Sequence, residues 1–185
     1  MSRLKLPTLA LVSLVSVLPA SAALKVGDKA PDFQAQASLG GQVSSFSLAA
    51  ALQKGPVVLY FYPAAFTPGC TTEAHLFAEA VGTFHQLGAT VVGVSHDDID
   101  KLNKFSVSEC RGKFAVLSDS DQAIMKAYDA VLAAKPQLAN RTSYVIAPDG
   151  RIIHTFTDLK PDQHVANALA ALRLWKAQAG KQPAP

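Results

Sequence analysis

Hydrophobic positions along this chain change period several times, and each change marks an element. Residues 55–63, GPVVLYFYP, form an unbroken apolar run bounded by glycine and proline. That is the pattern of a strand buried on both faces of a largely parallel sheet. From Cys70 the period lengthens. Ala74, Phe77, Ala78, Val81 and Phe84 recur at helical spacing until Gly88 stops them. ATVVGVS (89–95) predicts a second buried strand, and Ile99, Leu102 and Phe105 predict a helix from about Asp98 to Cys110, closed by Gly112. FAVLSD (114–119) predicts a third strand; Ile124, Met125 and Tyr128 predict a short helix. In TSYVIAPDGRIIHTF (142–156) two strand-like runs flank Pro148-Asp149-Gly150, a strong signal for a β-hairpin. Val165, Leu169, Leu172 and Trp175/Lys176 predict a last amphipathic helix, and GGQVSSFSL (40–48) a small leading strand feeding a short helix.

Strand–helix units followed by a hairpin and a closing helix predict an α/β fold, a central mixed β-sheet with helices on both faces. The start of the chain lies outside that pattern. MSRLK carries two positive charges, LPTLALVSLVSVLP is apolar, and ASAA supplies small residues with Ala20 and Ala22 at cleavage spacing. This layout predicts a secretory signal peptide over residues 1–22, cut after Ala22; the alternative is an N-terminal membrane anchor. No cysteine follows the run to carry a lipid. Residues 23–185 are the size of one domain with one core, without repeats or an internal linker. Of 17 basic and 14 acidic side chains, Arg3 and Lys5 fall in the leader, leaving 15 and 14, a net of +1. That balance argues against a nucleic-acid or membrane surface. No later apolar run is long enough for a transmembrane helix. The expected location is the periplasm, with no stable membrane association once the signal is cleaved.

Export changes the reading of the two cysteines, Cys70 and Cys110. An exported space is oxidising, and an even number of cysteines suits a static disulfide. The position of Cys70 points elsewhere. The first strand ends at Pro63, a turn follows, and Pro68-Gly69 lead into a helix that starts near Cys70. A helix N-terminus has unpaired N–H groups and a partial positive charge, which stabilise an anion, and the thiolate is the nucleophilic form of cysteine. Thr67 has two readings, a helix cap or a hydroxyl that bonds an anion beside the sulfur. Glu73 fits the first turn through the dipole, and also has the chemistry to orient an arginine. Charge developing on a departing oxygen needs fixed donors, and a guanidinium supplies several. Arg111, beside the second cysteine, and Arg141, opening the hairpin, are the two candidates.

YFYPAAFTPGCTTEAHLF resembles the active-site segment of the peroxiredoxins, with their Pro-x-x-x-Thr-x-x-Cys pattern at Pro63, Thr67 and Cys70. TPGCTTEA resembles the Q-type branch, also called bacterioferritin comigratory proteins. VGDKAPDF (26–33), VVGVSHDD (91–98), VLSD (116–119) and RTSYVIAPDGRI (141–152) extend the resemblance over nearly all of the mature chain. It implies a thioredoxin-like fold and a peroxidase for hydrogen peroxide and organic hydroperoxides, with no metal and no bound cofactor. It also implies that Cys70 is the peroxidatic cysteine, that Thr67 and Arg141 are its hydrogen-bonding partners, and that Pro63 shields the site.

Two departures matter. Many Q-type members carry a second cysteine five residues after the first, where this chain has His75. Cys110 falls where other members place their resolving cysteine. The expected cycle is therefore oxidation of Cys70 to a sulfenic acid, condensation with Cys110 after local unwinding of a helix end, and reduction by an external thioredoxin-like dithiol. The alternative is a one-cysteine enzyme with Cys110 a buried bystander. Ala64-Ala65 stand where Lys-Asp is frequent in the family, and a local charge pair is lost.

Other functional classes fit less well. A thioredoxin-like oxidoreductase needs Cys-x-x-Cys, and Cys70-Thr71-Thr72-Glu73 lacks the second thiol. A redox sensor shares the oxidation chemistry but signals to a partner. The histidines, at 75, 85, 96, 154 and 164, form no compact metal-ligand motif, and His96-Asp97-Asp98 reads as a solvated strand-end loop.

Overall fold

Side chains of the central strand alternate between two cores, as the period of 2 in a strand requires. The computed structural model describes residues 23–179; the expected signal peptide lies outside the described residues. The elements are β1 (Gln34–Leu39), β2 (Gln42–Ser47), α1 (Leu48–Leu52), β3 (Val57–Phe61), α2 (Pro68–Gln86), β4 (Thr90–Ser95), α3 (Ile99–Ser108), β5 (Ala115–Ser118), α4 (Ala123–Ala127), β6 (Thr142–Ile146), β7 (Ile152–Thr157) and α5 (His164–Ala179). The seven strands form one sheet in the order β2-β1-β5-β4-β3-β6-β7. Parallel strands β5, β4 and β3 occupy its centre, and antiparallel pairings flank them. From β3, Val58 and Tyr60 pack with residues of α2, α3 and α5. Val57, Leu59 and Phe61 point the other way, toward α1 and α4. This is the expected α/β fold, a mixed sheet with helices on both faces. Gly93 on β4 has a specific use. A Cβ there would lie 2.7 Å from the Tyr60 ring, which stacks on Phe77 of α2 at 4.3 Å.

The predicted strands and helices are present, with one addition. The leading strand is half of a hairpin: β1 pairs antiparallel with β2, and β1 also pairs with β5. The hairpin turns at Gly40-Gly41, both with positive φ (55° and 83°), a conformation that glycine adopts without steric cost. β1 reads QAQASL, and only Ala37 and Ser38 of it are buried, so its sequence carries little hydrophobic signal. The hairpin predicted over 142–156 is β6–β7, closed by Ala147–Gly150 backbone bonds.

Candidate active site

The site begins where β3 runs out. Tyr62 N–H donates to Val94 O at 3.0 Å, which carries the β3–β4 pairing one residue further. The chain then turns sharply, with Phe66 in the left-handed region at φ 67°. Ala65 N–H donates to the Asp97 carboxylate at 2.7 Å. That carboxylate is held by the Ser95 hydroxyl at 2.8 Å and the Lys101 ammonium at 2.6 Å. The solvated-loop reading of His96-Asp97-Asp98 is therefore corrected. Asp97 is buried and ties the loop before Cys70 to the end of β4, while Asp98 caps α3 by accepting from Lys101 N–H at 2.8 Å. The anchor uses the backbone of Ala65, so the loop is held without the charge pair that Ala64-Ala65 forgo.

Cys70 is the third residue of α2, within its first turn, and is 2% exposed. Arg141 reaches it from the neighbouring strand. Because Phe61 of β3 pairs with Thr142 of β6, Arg141 comes to the same end of the sheet as the Cys70 loop. Its guanidinium is bonded in three directions. Nη2 donates to Cys70 Sγ at 3.5 Å, Nε to Leu159 O at 2.9 Å, and Nη1 to Glu73 Oε2. Arg141 is 4% exposed and Glu73 is 0% exposed. Burial pushes the Glu73 carboxyl up, and the charge and hydrogen bond of Arg141 pull it back down. Burial alone would lower Arg141; the charges of Glu73 and Cys70 raise it instead. The helix starts at Pro68, so Glu73 lies past its first turn. Its partner is the arginine, not the helix dipole. Gly69 sits against the same guanidinium, with a Cβ there 3.1 Å from Nη2.

Thr67 occupies the N-cap position but makes no side-chain cap bond. Its exposed hydroxyl donates to Ala64 O at 3.0 Å, which leaves the oxygen free to accept. Pro63 is half-buried at the start of the turn. Arg111, the other candidate cation, pairs with Glu79 at 3.3 Å on the surface.

Cys110 lies two residues beyond the last turn of α3, in a different chemistry. It is 0% exposed, and both cysteines are free. Burial, with a smaller push from Glu109, drives its thiol well up. Cys110 N–H donates to Phe105 O, and Arg111 and Gly112 take positive φ (52° and 63°) to close the turn. Two pairs fasten this turn to α2: His75 Nε2 to Glu109 at 3.0 Å, and Arg111 to Glu79. His75, the residue in place of a nearby second cysteine, thus becomes a strap on the turn that carries Cys110. Among the described residues no group of three or more His, Cys, Asp or Glu side chains is placed to hold a metal ion.

The arrangement presents a buried sulfur at a helix start, a three-way-fixed guanidinium on it, and an accepting hydroxyl one turn away. A protonated peroxide fits these groups: a donor O–H for Thr67, an electrophilic oxygen for the sulfur, and a leaving oxygen for Arg141. Asp97 and the Leu159 carbonyl carry structure here that no local motif announced. Asp97 looks like any acid in a loop, and a backbone carbonyl has no sequence signal.

Residues 26–155 match the AhpC/TSA family. The chain is 34% identical to peroxiredoxin Bcp of Bacillus subtilis over 157 residues, covering 81% of this chain and 96% of that one. It is 33% identical to peroxiredoxin Bcp of Escherichia coli over 154 residues, covering 76% and 90%. In structure it is similar to peroxidoxin BcpB from Mycobacterium tuberculosis, with a TM-score of 0.74, 34% identity, and coverage of 82% of this chain and 97% of that one. Xanthomonas campestris peroxiredoxin Q superposes with a TM-score of 0.66 at 30% identity, covering 76% and 90%. The fold is thioredoxin-like, as these neighbours have it.

Proposed function

This chain belongs to the AhpC/TSA family and is a thiol-dependent peroxidase of the Q-type peroxiredoxins, and from that premise we propose that Cys70 is its peroxidatic cysteine and Cys110 its resolving one. The observation that carries the reading is the Arg141 Nη2 contact to Cys70 Sγ in the first turn of α2. In the first step the Cys70 thiolate attacks one oxygen of the hydroperoxide. The S–O bond forms as the O–O bond breaks, Cys70 becomes a sulfenic acid, and the other oxygen leaves as hydroxide or alkoxide, taking a proton to become water or an alcohol. Arg141 stabilises the negative charge through this step. Thr67 Oγ1 accepts the peroxide O–H and orients it, and Pro63 keeps water off the sulfur.

In the second step the Cys110 thiol condenses with the sulfenic acid, forming the disulfide and releasing water. Both sulfurs are buried, so the turn at 109–112 must leave α2 first. An external thioredoxin-like dithiol then reduces the disulfide and is itself oxidised. The location we propose is the periplasm, on the three-part layout of residues 1–22, with 23–185 folding as one domain and a periplasmic dithiol as donor. Finding the native protein in the cytosolic fraction overturns that location.

The full burial of Cys110 favours a second reading, in which an external thiol resolves Cys70 directly. Steady-state peroxide consumption with a dithiol reductant separates the two. Cys110→Ser losing multiple turnover with a protein dithiol supports the two-cysteine cycle; full turnover in that variant supports the one-cysteine enzyme.

A further inference from the structure

Behind the Arg141–Glu73 pair lies a buried histidine that the peroxide chemistry above does not use. His164 opens α5 and is fully buried. Its Nε2 is 2.9 Å from the Asp158 carbonyl. A carbonyl only accepts, so Nε2 carries the hydrogen. Nδ1 then accepts from the Ser143 hydroxyl at 2.7 Å. The same nitrogen faces Glu73 Oε1 at 3.7 Å, and Oε1 is a buried oxygen with no hydrogen-bond partner among the described residues. His164 thus stands against both supports of the guanidinium. One is the Glu73 carboxylate. The other is the 158–159 strap, whose Asp158 carbonyl takes the histidine N–H while the adjacent Leu159 carbonyl takes Arg141 Nε. Ser143 lies on β6, two residues after Arg141, which immediately precedes that strand, so one short stretch of chain carries the arginine and the group that orients the histidine.

We propose that His164, oriented by Ser143, is a positioning residue that aims Arg141 at Cys70. It holds the strap and bounds the Glu73 carboxylate on its open side. The inference rests on Cys70 and Arg141 being the peroxide site. The charged and titratable groups around the imidazole are Arg141, Glu73, Asp158 and His154. Burial lowers the imidazole, and the Asp158 carbonyl bond opposes that. Both are consistent with a neutral ring bearing its hydrogen on Nε2.

The test compares two reactions of Cys70 in a Cys110→Ser background, with hydrogen peroxide and with iodoacetamide. Alkylation expels iodide and creates no oxygen anion for Arg141 to stabilise. His164→Phe keeps the ring volume and removes both bonds. Its expected effect is a fall of about tenfold in the peroxide rate constant, since a fraction of an ångström in a catalytic group is worth roughly that much. The alkylation rate falls less, and His164→Gln, which keeps a donor for the Asp158 carbonyl, recovers much of the loss. A His164→Phe protein with an unchanged peroxide rate, or with both rates lowered by the same factor, overturns the inference. If His164→Phe does not fold, Ser143→Ala decides: a peroxide rate lowered relative to alkylation supports the role, and an unchanged ratio overturns it. A parent protein in which Cys70 ignores peroxide overturns the functional reading and this inference with it; an active parent beside an indifferent His164→Phe overturns this inference alone.

Discussion

Cys70 and Cys110 pack in the same core beneath the same face of the sheet, and they are buried to nearly the same degree, 2% and 0% exposed. Their surroundings have little else in common. Cys70 stands at the start of a helix with a guanidinium donating to its sulfur. Cys110 stands just past the end of another, where burial and the Glu109 carboxylate oppose its ionisation. What sets the two thiols apart is the sign of the fixed charge beside each, the Arg141 guanidinium at Cys70 and the Glu109 carboxylate at Cys110, not access to water. In the cycle we propose, the same contrast becomes a division of labour: Cys70 is the attacking sulfur, held beside a guanidinium, and Cys110 condenses with it from a turn that has to open.

The comparison breaks hardest at the sulfur itself. Cys70→Ser should abolish peroxide consumption, whereas Cys110→Ser should keep single-turnover oxidation of Cys70 near the parent rate; stopped-flow mixing with peroxide measures both. Next is the cation. Arg141→Ala should lower the rate constant for Cys70 oxidation by about 10²–10³, the range for removing a donor to a developing oxyanion. Arg141→Lys should recover only part of it, because an ammonium does not reproduce the fixed three-way fork.

Asp97→Ala tests the scaffold of the Cys70 side alone. It frees the Ala65 N–H and should cost about 1.5–3 kcal/mol, the range for a hydrogen bond to a charged group, read from urea unfolding. Titration sharpens the Cys110 side. Its folded thiol lies above the ordinary value of 9.0, so the unfolded chain loses the proton first as pH rises. The contribution is fully present below about pH 9 and is lost above it. Stability of the parent should therefore fall above that pH more steeply than stability of Cys110→Ser. The smallest effect belongs to the strap. His75→Ala or Glu79→Ala removes one surface pair from the 109–112 turn, worth up to about 1 kcal/mol. Either variant should speed disulfide closure after a peroxide pulse by no more than about fivefold.

Much of this was legible in the residues. The apolar run of β3, the helical period after Cys70 and the Pro-Asp-Gly turn each carry a strong local signal, and each element stands where its pattern predicts. β1 was silent because an edge-side strand that buries only Ala37 and Ser38 needs no alternating apolar pattern. Spacing alone left Arg111 and Arg141 as equals. Strand register decided between them, since β6 lies against β3, and register is set by long-range pairing. The inward turn of Asp97, the use of the Leu159 carbonyl, and the place of His164 behind Glu73 all depend on tertiary contacts between segments far apart in the chain. The Thr67 cap reading failed because its hydroxyl bonds back to Ala64 instead of forward into the helix.

The most direct test is to titrate the reduced protein with peroxide and follow it by intact mass and non-reducing peptide mapping. The account predicts loss of two hydrogens and a peptide cross-linked through Cys70 and Cys110. A persistent sulfenic acid on Cys70 with Cys110 still free would contradict the two-cysteine cycle, and an unmodified Cys70 would contradict the peroxide site itself.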